Sequence, residues 1–267
     1  MMSVGERAEA LVSELGIADP KDLDLEAIAF DSGMEVVYEH LTGCEASLVG
    51  YRDRAVATIK PSGVRGRERF SIGHELGHWQ LHRGHSFQCR VDDPSSNLSS
   101  NKTIEKEADR FASHLLLPGF LFKPRVAHLG KPNFQQLSEL AEEFETSLMA
   151  TAIRLAAIDT LPVIVASYRK EGIVWNMTAR DIPFRWKLKD RLDGDSFTYD
   201  LLTQGKDCPR LSKQSADAWF ENEDADDYEV WEQCIGSVGD TALVILYLQT
   251  SMMNARSDWN INKRRSS

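Results

Sequence analysis

The chain has 267 residues, 42% hydrophobic and 27% charged, the balance of a soluble globular protein with one large domain or two modest ones. Its 41 acidic and 31 basic residues leave a net charge of −10, which argues against a protein whose main business is coating nucleic acid. No apolar run is long enough to cross a bilayer, and the start, Met1 to Arg7, lacks a secretory pattern. The four cysteines, Cys44, Cys89, Cys208 and Cys234, are scattered with no C-x-x-C pair. They fit free or metal-bound thiols in a cytoplasmic protein better than a disulfide framework.

In chain order, residues 5–16 and 22–33 read as short helices around Asp19-Pro20. Residues 36–40 form a short β-like run, and 47–51 and 55–59 a hairpin turned at Arg52-Asp53-Arg54. Residues 67–82 have helical periodicity, with Phe70, His74, Gly77, His78 and Leu81 on one face. The polar stretch 83–101 reads as a loop. Thr103 then caps a helix over 104–117 that Pro118-Gly119 stops. Residues 134–144 and 147–158 make a helix pair. Its second helix carries one arginine, Arg154, too few cations for a DNA-reading element. Leu161-Pro162 is the expected boundary between a domain at 1–160 and another at 161–267. The second holds five of the six tryptophans, a hairpin at 163–168 and 173–177, and a buried strand at 242–248. The expected class is α+β, with a smaller α/β domain following.

The strongest chemical signal is His74-Glu75-Leu76-Gly77-His78. On a helix, positions i and i+4 lie one above the other. Both imidazoles can then hold one zinc ion, while Glu75, about 100° around, can take a proton from the water that the metal activates. Gly73 and Gly77 leave room for a second element to approach the histidine face. A hydrolytic site needs a third protein ligand and an open fourth position. Glu105 and Asp109 share a helix face, so one can ligate while the other accepts a hydrogen bond from a ligand histidine. Glu107 points away from Glu105 and reads as a solvated carboxylate.

The stretches Arg69 to His82 and Glu105 to Pro118 resemble the ImmA/IrrE family of zinc metallopeptidases, whose H-E-x-G-H is followed by E-x-x-[A/C]-[N/D]-x-x-A and L-L-x-P. The likeness covers roughly residues 20–160. It implies a zincin-like, gluzincin fold with a helical extension, His74, His78 and Glu105 on zinc, Glu75 as catalytic base, and Asp109 supporting a ligand histidine. Asp109 stands where asparagine is commoner. The resemblance further implies a cytoplasmic endopeptidase that cleaves one protein, often a helix-turn-helix repressor, and so releases stress or phage-defence genes. A non-proteolytic zinc fold or a DNA-binding stress regulator is the alternative. Residues 161–267 inherit nothing from the resemblance and are expected to regulate or recognise.

Other residues carry open readings. A Cys89 thiolate on the zinc would fill the fourth position and hold the enzyme latent; otherwise it is a loop thiol. His82, His85 or Tyr51 could donate to an oxyanion, although His82 and His85 equally suit a helix C-terminus. His114 reads as a hydrogen-bonded core residue. The strand Ala55, Val56, Ala57, Thr58 and Ile59 is expected to be an edge that pairs with an extended substrate, with an ordinary interior strand as the other reading. Two basic stretches, Arg52 to Arg69 and Arg180 to Arg191, could hold single-stranded nucleic acid as an activator, the second through Phe184 and Trp186. The seven acids between Glu221 and Glu232 oppose it.

Overall fold

A computed structural model describes residues 2–83, 87–90 and 99–254, side chains at 87–90 and 99–101 excepted. The described residues fall into two compact units, Met1–His128 with Ser138–Thr151, and Leu129–Leu137 with Ala152–Ser267. The second unit thus reaches back across the expected boundary at Leu161 to collect two earlier pieces of chain.

In the first unit, helix α1 (Val4–Glu14) begins at a capping box. Ser3 Oγ accepts from the Glu6 N–H, and the Ser3 N–H donates to the Glu6 carboxylate at 2.6 Å. The short helix α2 (Leu25–Asp31) is capped by Asp24. Gly33 follows at φ +82°, where an added Cβ would meet the Asp53 carbonyl oxygen at 2.8 Å, so only glycine fits this entry to the sheet. Strands β1 (Met34–Tyr38), β2 (Cys44–Tyr51), β3 (Arg54–Ile59) and β4 (Phe87–Arg90) form one sheet in the order β1-β3-β2-β4. The β1–β3 pair is parallel and the other two are antiparallel.

This order corrects the substrate-strand expectation. Ala55 to Ile59 is hydrogen-bonded on both sides, to Met34 to Tyr38 and to Ala46 to Gly50. It has no free edge for a peptide to join; among the described residues the edges are β1 and β4. The expected loop at 83–101 likewise contains β4, and the following helix starts at Ser99, so Thr103 is not its cap.

Helix α3 (Arg65–Leu81) packs against this sheet and against α4 (Ser99–Leu116). It is buried on most sides: Ile72, Leu76 and Trp79 are in the core together with Arg69, Glu75 and His78. Arg69 donates to the Leu23 carbonyl oxygen at 2.9 Å and pairs with Glu145 at 3.1 Å. Pro118-Gly119 ends α4 but at once opens α5 (Gly119–Leu129), whose first turn bonds back to the Pro118 carbonyl oxygen. Helices α6 (Phe134–Glu143) and α7 (Leu148–Ala157) form the expected pair, and Arg154 is only 3% exposed.

The second unit is a five-stranded antiparallel sheet of β5 (Val163–Arg169), β6 (Gly172–Thr178), β7 (Cys208–Ser215), β8 (Glu229–Ser237) and β9 (Thr241–Leu248), in the order β6-β5-β9-β8-β7. All eight residues of β9 are buried, as a central strand covered on both faces requires. Helix α8 (Phe197–Gln204) and the short α9 (Thr250–Met253) complete the unit. Its core joins Tyr168, Trp186, Trp219 and Phe220 to the sheet. Trp186 is 5% exposed and donates to the Met252 carbonyl oxygen, while Arg185 pairs with Asp224 of the acidic run. Trp186 therefore offers no face for a base to stack on, whereas Phe184 is 91% exposed with Lys187 5.8 Å from its ring centre. No described helix is long and apolar enough to cross a membrane.

Candidate metal centre

The centre begins with the closeness of α3 and α4. An added Cβ on Gly73 would lie 3.2 Å from the Ala112 Cβ, and one on Gly77 would lie 3.1 Å from the Ala108 Cα. Small residues on both helices let the backbones approach, and this brings Glu105 over the histidine face of α3. Ala108, Phe111, Ala112, Leu115 and Leu116 form the apolar stripe that fixes the rotation of α4.

Three side-chain atoms then converge. His74 Nε2 and His78 Nε2 are 3.0 Å apart. Glu105 Oε2 lies 3.2 Å from the first and 3.5 Å from the second. Ligands at about 2.0–2.1 Å from one tetrahedral ion are necessarily ~3.3 Å from each other, so the triangle fits such an ion. Among the described residues this is the one group of three or more His, Cys, Asp or Glu side chains so placed. The Glu105 carboxyl is held down to about 2 by hydrogen bonds from His74 and His78. Burial pushes the His78 imidazole below its ordinary value, which keeps it in the neutral form a metal needs.

The outer ring nitrogens are anchored too. His74 Nδ1 lies 3.0 Å from Asp109 Oδ1, which turns its Nε2 inward. His78 Nδ1 faces His82 Nδ1 at 3.3 Å, and His82 Nε2 lies 2.9 Å from Glu107 Oε2. If His78 Nδ1–H donates to His82, then His82 Nε2–H is left to donate to Glu107. Glu107 is thus the end of a support chain rather than a purely solvated group. The sequence signal for this chain is its spacing: His82 follows His78 by one helical turn, as His78 follows His74.

Of the remaining expected residues, Glu75 is fully buried on α3. Tyr51 is 72% exposed near the end of β2. His114 bonds Glu9 at 2.7 Å under Gly5 and is half-buried, hydrogen-bonded as expected but not within the core. The main chain of Cys89 pairs with Ala46 in the sheet. Its side chain and His85 lie outside the described residues, and the latch expectation with them. Of the six cations from Arg52 to Arg69, three are in internal pairs, Lys60 with Glu45, Arg65 with Glu26 and Arg69 with Glu145.

Comparison with known proteins adds three findings. The family model of the IrrE N-terminal-like domain, Peptidase M78, matches residues 29–156. The solved structure of a Mycobacterium tuberculosis transcriptional regulator resembles this chain with a TM-score of 0.61 at 18% identity, covering 93% of this chain and 76% of that one. At that identity the likeness is one of fold. No curated protein sequence matches the chain.

Proposed function

From the premise that residues 29–156 are an IrrE N-terminal-like domain of the M78 peptidases, we propose that this chain is a zinc-dependent endopeptidase. The carrying observation is the triangle of His74, His78 and Glu105, whose separations of 3.0, 3.2 and 3.5 Å suit one tetrahedral ion. Two imidazoles and one carboxylate are a donor set that zinc accepts, with one position left for reaction. When bound, zinc acidifies a water and polarises the scissile carbonyl.

The chain's own residues do the rest. Glu75, next to His74, takes the proton of the attacking water and passes it to the departing amine nitrogen. Asp109 orients His74, and the pair His82–Glu107 orients His78. An extended substrate joins the sheet at β4, the edge strand beside β2, through main-chain hydrogen bonds. The substrate we assign is a helix-turn-helix repressor, cut in the cytoplasm to release stress or phage-defence genes. The motif resemblance supports this, and a solved structure of like fold is itself a transcriptional regulator.

The test uses the full chain and the protein encoded beside it. Cleavage should need zinc, stop with a chelator and be abolished in Glu75→Gln, whose amide cannot accept the proton, while that variant keeps its metal. General acid–base catalysis is worth roughly 10²–10⁴-fold. Near wild-type cleavage by Glu75→Gln would refute the base assignment, and full metal retention in Glu105→Ala would move the third ligand elsewhere.

A further inference from the structure

Cys208 opens β7 and Cys234 lies within β8, and the two are register partners across the antiparallel pair. Both are free and buried, and each thiol shifts the ionisation of the other. Partners of this kind hold their Cβ atoms roughly 4.5–5.5 Å apart, whereas a disulfide needs about 3.5–4.5 Å. The gap is small, and the strand can give. Among the described residues β7 is the edge of its sheet, and its register shifts between Cys208 and Ser212. Pro209, inside that irregular stretch, has no N–H to tie into the ladder.

The two sulfurs are not equivalent. The Cys208 S–H reaches the Arg210 carbonyl oxygen at 3.5 Å and the Glu232 carbonyl oxygen at 4.0 Å, while the neighbouring Cys234 draws the Cys208 thiol below its ordinary value. Cys208, with burial, holds the Cys234 thiol up. Cys208 is also the more accessible, at 8% against 1%, and sits at the start of an edge strand, where local opening is easiest. Cys208, the more accessible sulfur at the start of the strand, is therefore the one a small oxidant reaches first, and Cys234 is placed to resolve it.

We propose that Cys208 and Cys234 form a reversible dithiol–disulfide site whose oxidant is a small hydroperoxide. The Cys208 thiolate attacks the outer peroxide oxygen and the O–O bond breaks. Cys208 becomes a sulfenic acid, and the leaving oxygen departs as water or an alcohol after taking a proton. The Cys234 sulfur then attacks the Cys208 sulfur. The S–S bond forms, the S–O bond breaks, and the released hydroxide leaves as water with the Cys234 proton. The two thiols lose two electrons in total and the peroxide gains them. A thiol reductant reverses the reaction by exchange. The site uses residues of the second unit alone and owes nothing to the peptidase reading.

The experiment treats the reduced full-length protein with hydrogen peroxide, alkylates the remaining thiols under denaturing conditions and maps peptides by mass spectrometry without reductant. The expected result is the loss of two free thiols, one peptide pair linked through Cys208 and Cys234, and recovery of both thiols with dithiothreitol. In Cys234→Ser, Cys208 should accumulate as a dimedone-reactive sulfenic acid. The proposal is overturned if Cys208 and Cys234 stay fully alkylatable at a peroxide dose that oxidises Cys44. It is equally overturned if wild-type Cys208 ends as a sulfinic acid with no link to Cys234. The wild-type measurement stands without any variant having to fold.

Discussion

Gly77 of α3 and Ala108 of α4 face each other so closely that a Cβ on the glycine would lie 3.1 Å from the alanine Cα and 3.2 Å from its carbonyl oxygen. Both obstacles are backbone, so a larger side chain must push the helices apart. Glu105, one turn before Ala108, would move with α4. Gly77→Val should therefore destabilise the protein by roughly 1–3 kcal/mol, the usual cost of overpacking, and lower metal occupancy although every ligand remains. Thermal unfolding and metal analysis of the same preparation check both. An unchanged melting temperature with full metal would mean that α4 can slide without disturbing Glu105.

The His82–Glu107 pair predicts a different phenotype. Neither residue is a proposed ligand, but His82 Nδ1 is 3.3 Å from His78 Nδ1 and Glu107 holds the other side of the His82 ring at 2.9 Å. Loss of such outer partners typically weakens metal affinity by about 10–100-fold. His82→Ala should fall in that range and Glu107→Gln less, because an amide oxygen still accepts from the ring. Competition against a chromophoric chelator measures this without any substrate. Wild-type affinity in His82→Ala would leave His82 as a simple helix-end residue.

How much of this was legible in the sequence depends on the range of the interaction. The α3–α4 pairing was legible because its cues are local: two histidines one turn apart, two glycines in step with them, and an acid set four residues apart on the next helix. α5 is not legible because Pro118-Gly119 carries the pattern of a helix stop, and nothing local shows that the Pro118 carbonyl also receives the first turn of a new helix. β8 was hidden by its own acids, since Glu232 looks like a surface residue until Thr198 and Trp219 are seen to donate to it. The interior place of Ala55 to Ile59 was not legible, because its β1 partner lies about 20 residues back and no local pattern announces a parallel pairing.

Glu232 sets a pH dependence. Its carboxyl is fully buried, and desolvation raises it above the ordinary 4.5 despite donors from Thr198 and Trp219. A raised folded value means that the native protein keeps a proton the unfolded chain has released. Its contribution is thus fully present below about 4.5 and lost as pH rises through the folded value. Glu232→Gln, which cannot titrate, should flatten that part of the stability profile. Urea unfolding of both proteins at a series of pH values above 4.5 compares the slopes. Parallel profiles would show that the native protein holds the carboxylate charged.

The division of the chain makes the last prediction. A cut at Thr160 appears natural from composition, but Leu129–Leu137 and the residues from Ala152 belong with the five-stranded sheet. Tyr247 donates to the Pro132 carbonyl oxygen at 2.7 Å, and the Phe134 N–H donates to Gln233 Oε1 at 2.9 Å. Phe134, Leu137, Leu155 and Ile158 are all buried. A chain ending at Thr160 keeps these residues but loses β5 to β9, and each large apolar side chain that is uncovered costs about 1.5–3 kcal/mol. It should aggregate or melt well below the full chain, even with its three proposed metal ligands present. Tyr247→Phe tests the same joint more gently. It leaves the ring in place and removes one buried hydrogen bond, which costs about 1 kcal/mol and orphans the Pro132 carbonyl. Size-exclusion chromatography and thermal unfolding distinguish the outcomes. A monomeric chain ending at Thr160 with an unshifted melting temperature would mean that residues 129–137 need no sheet to hold them.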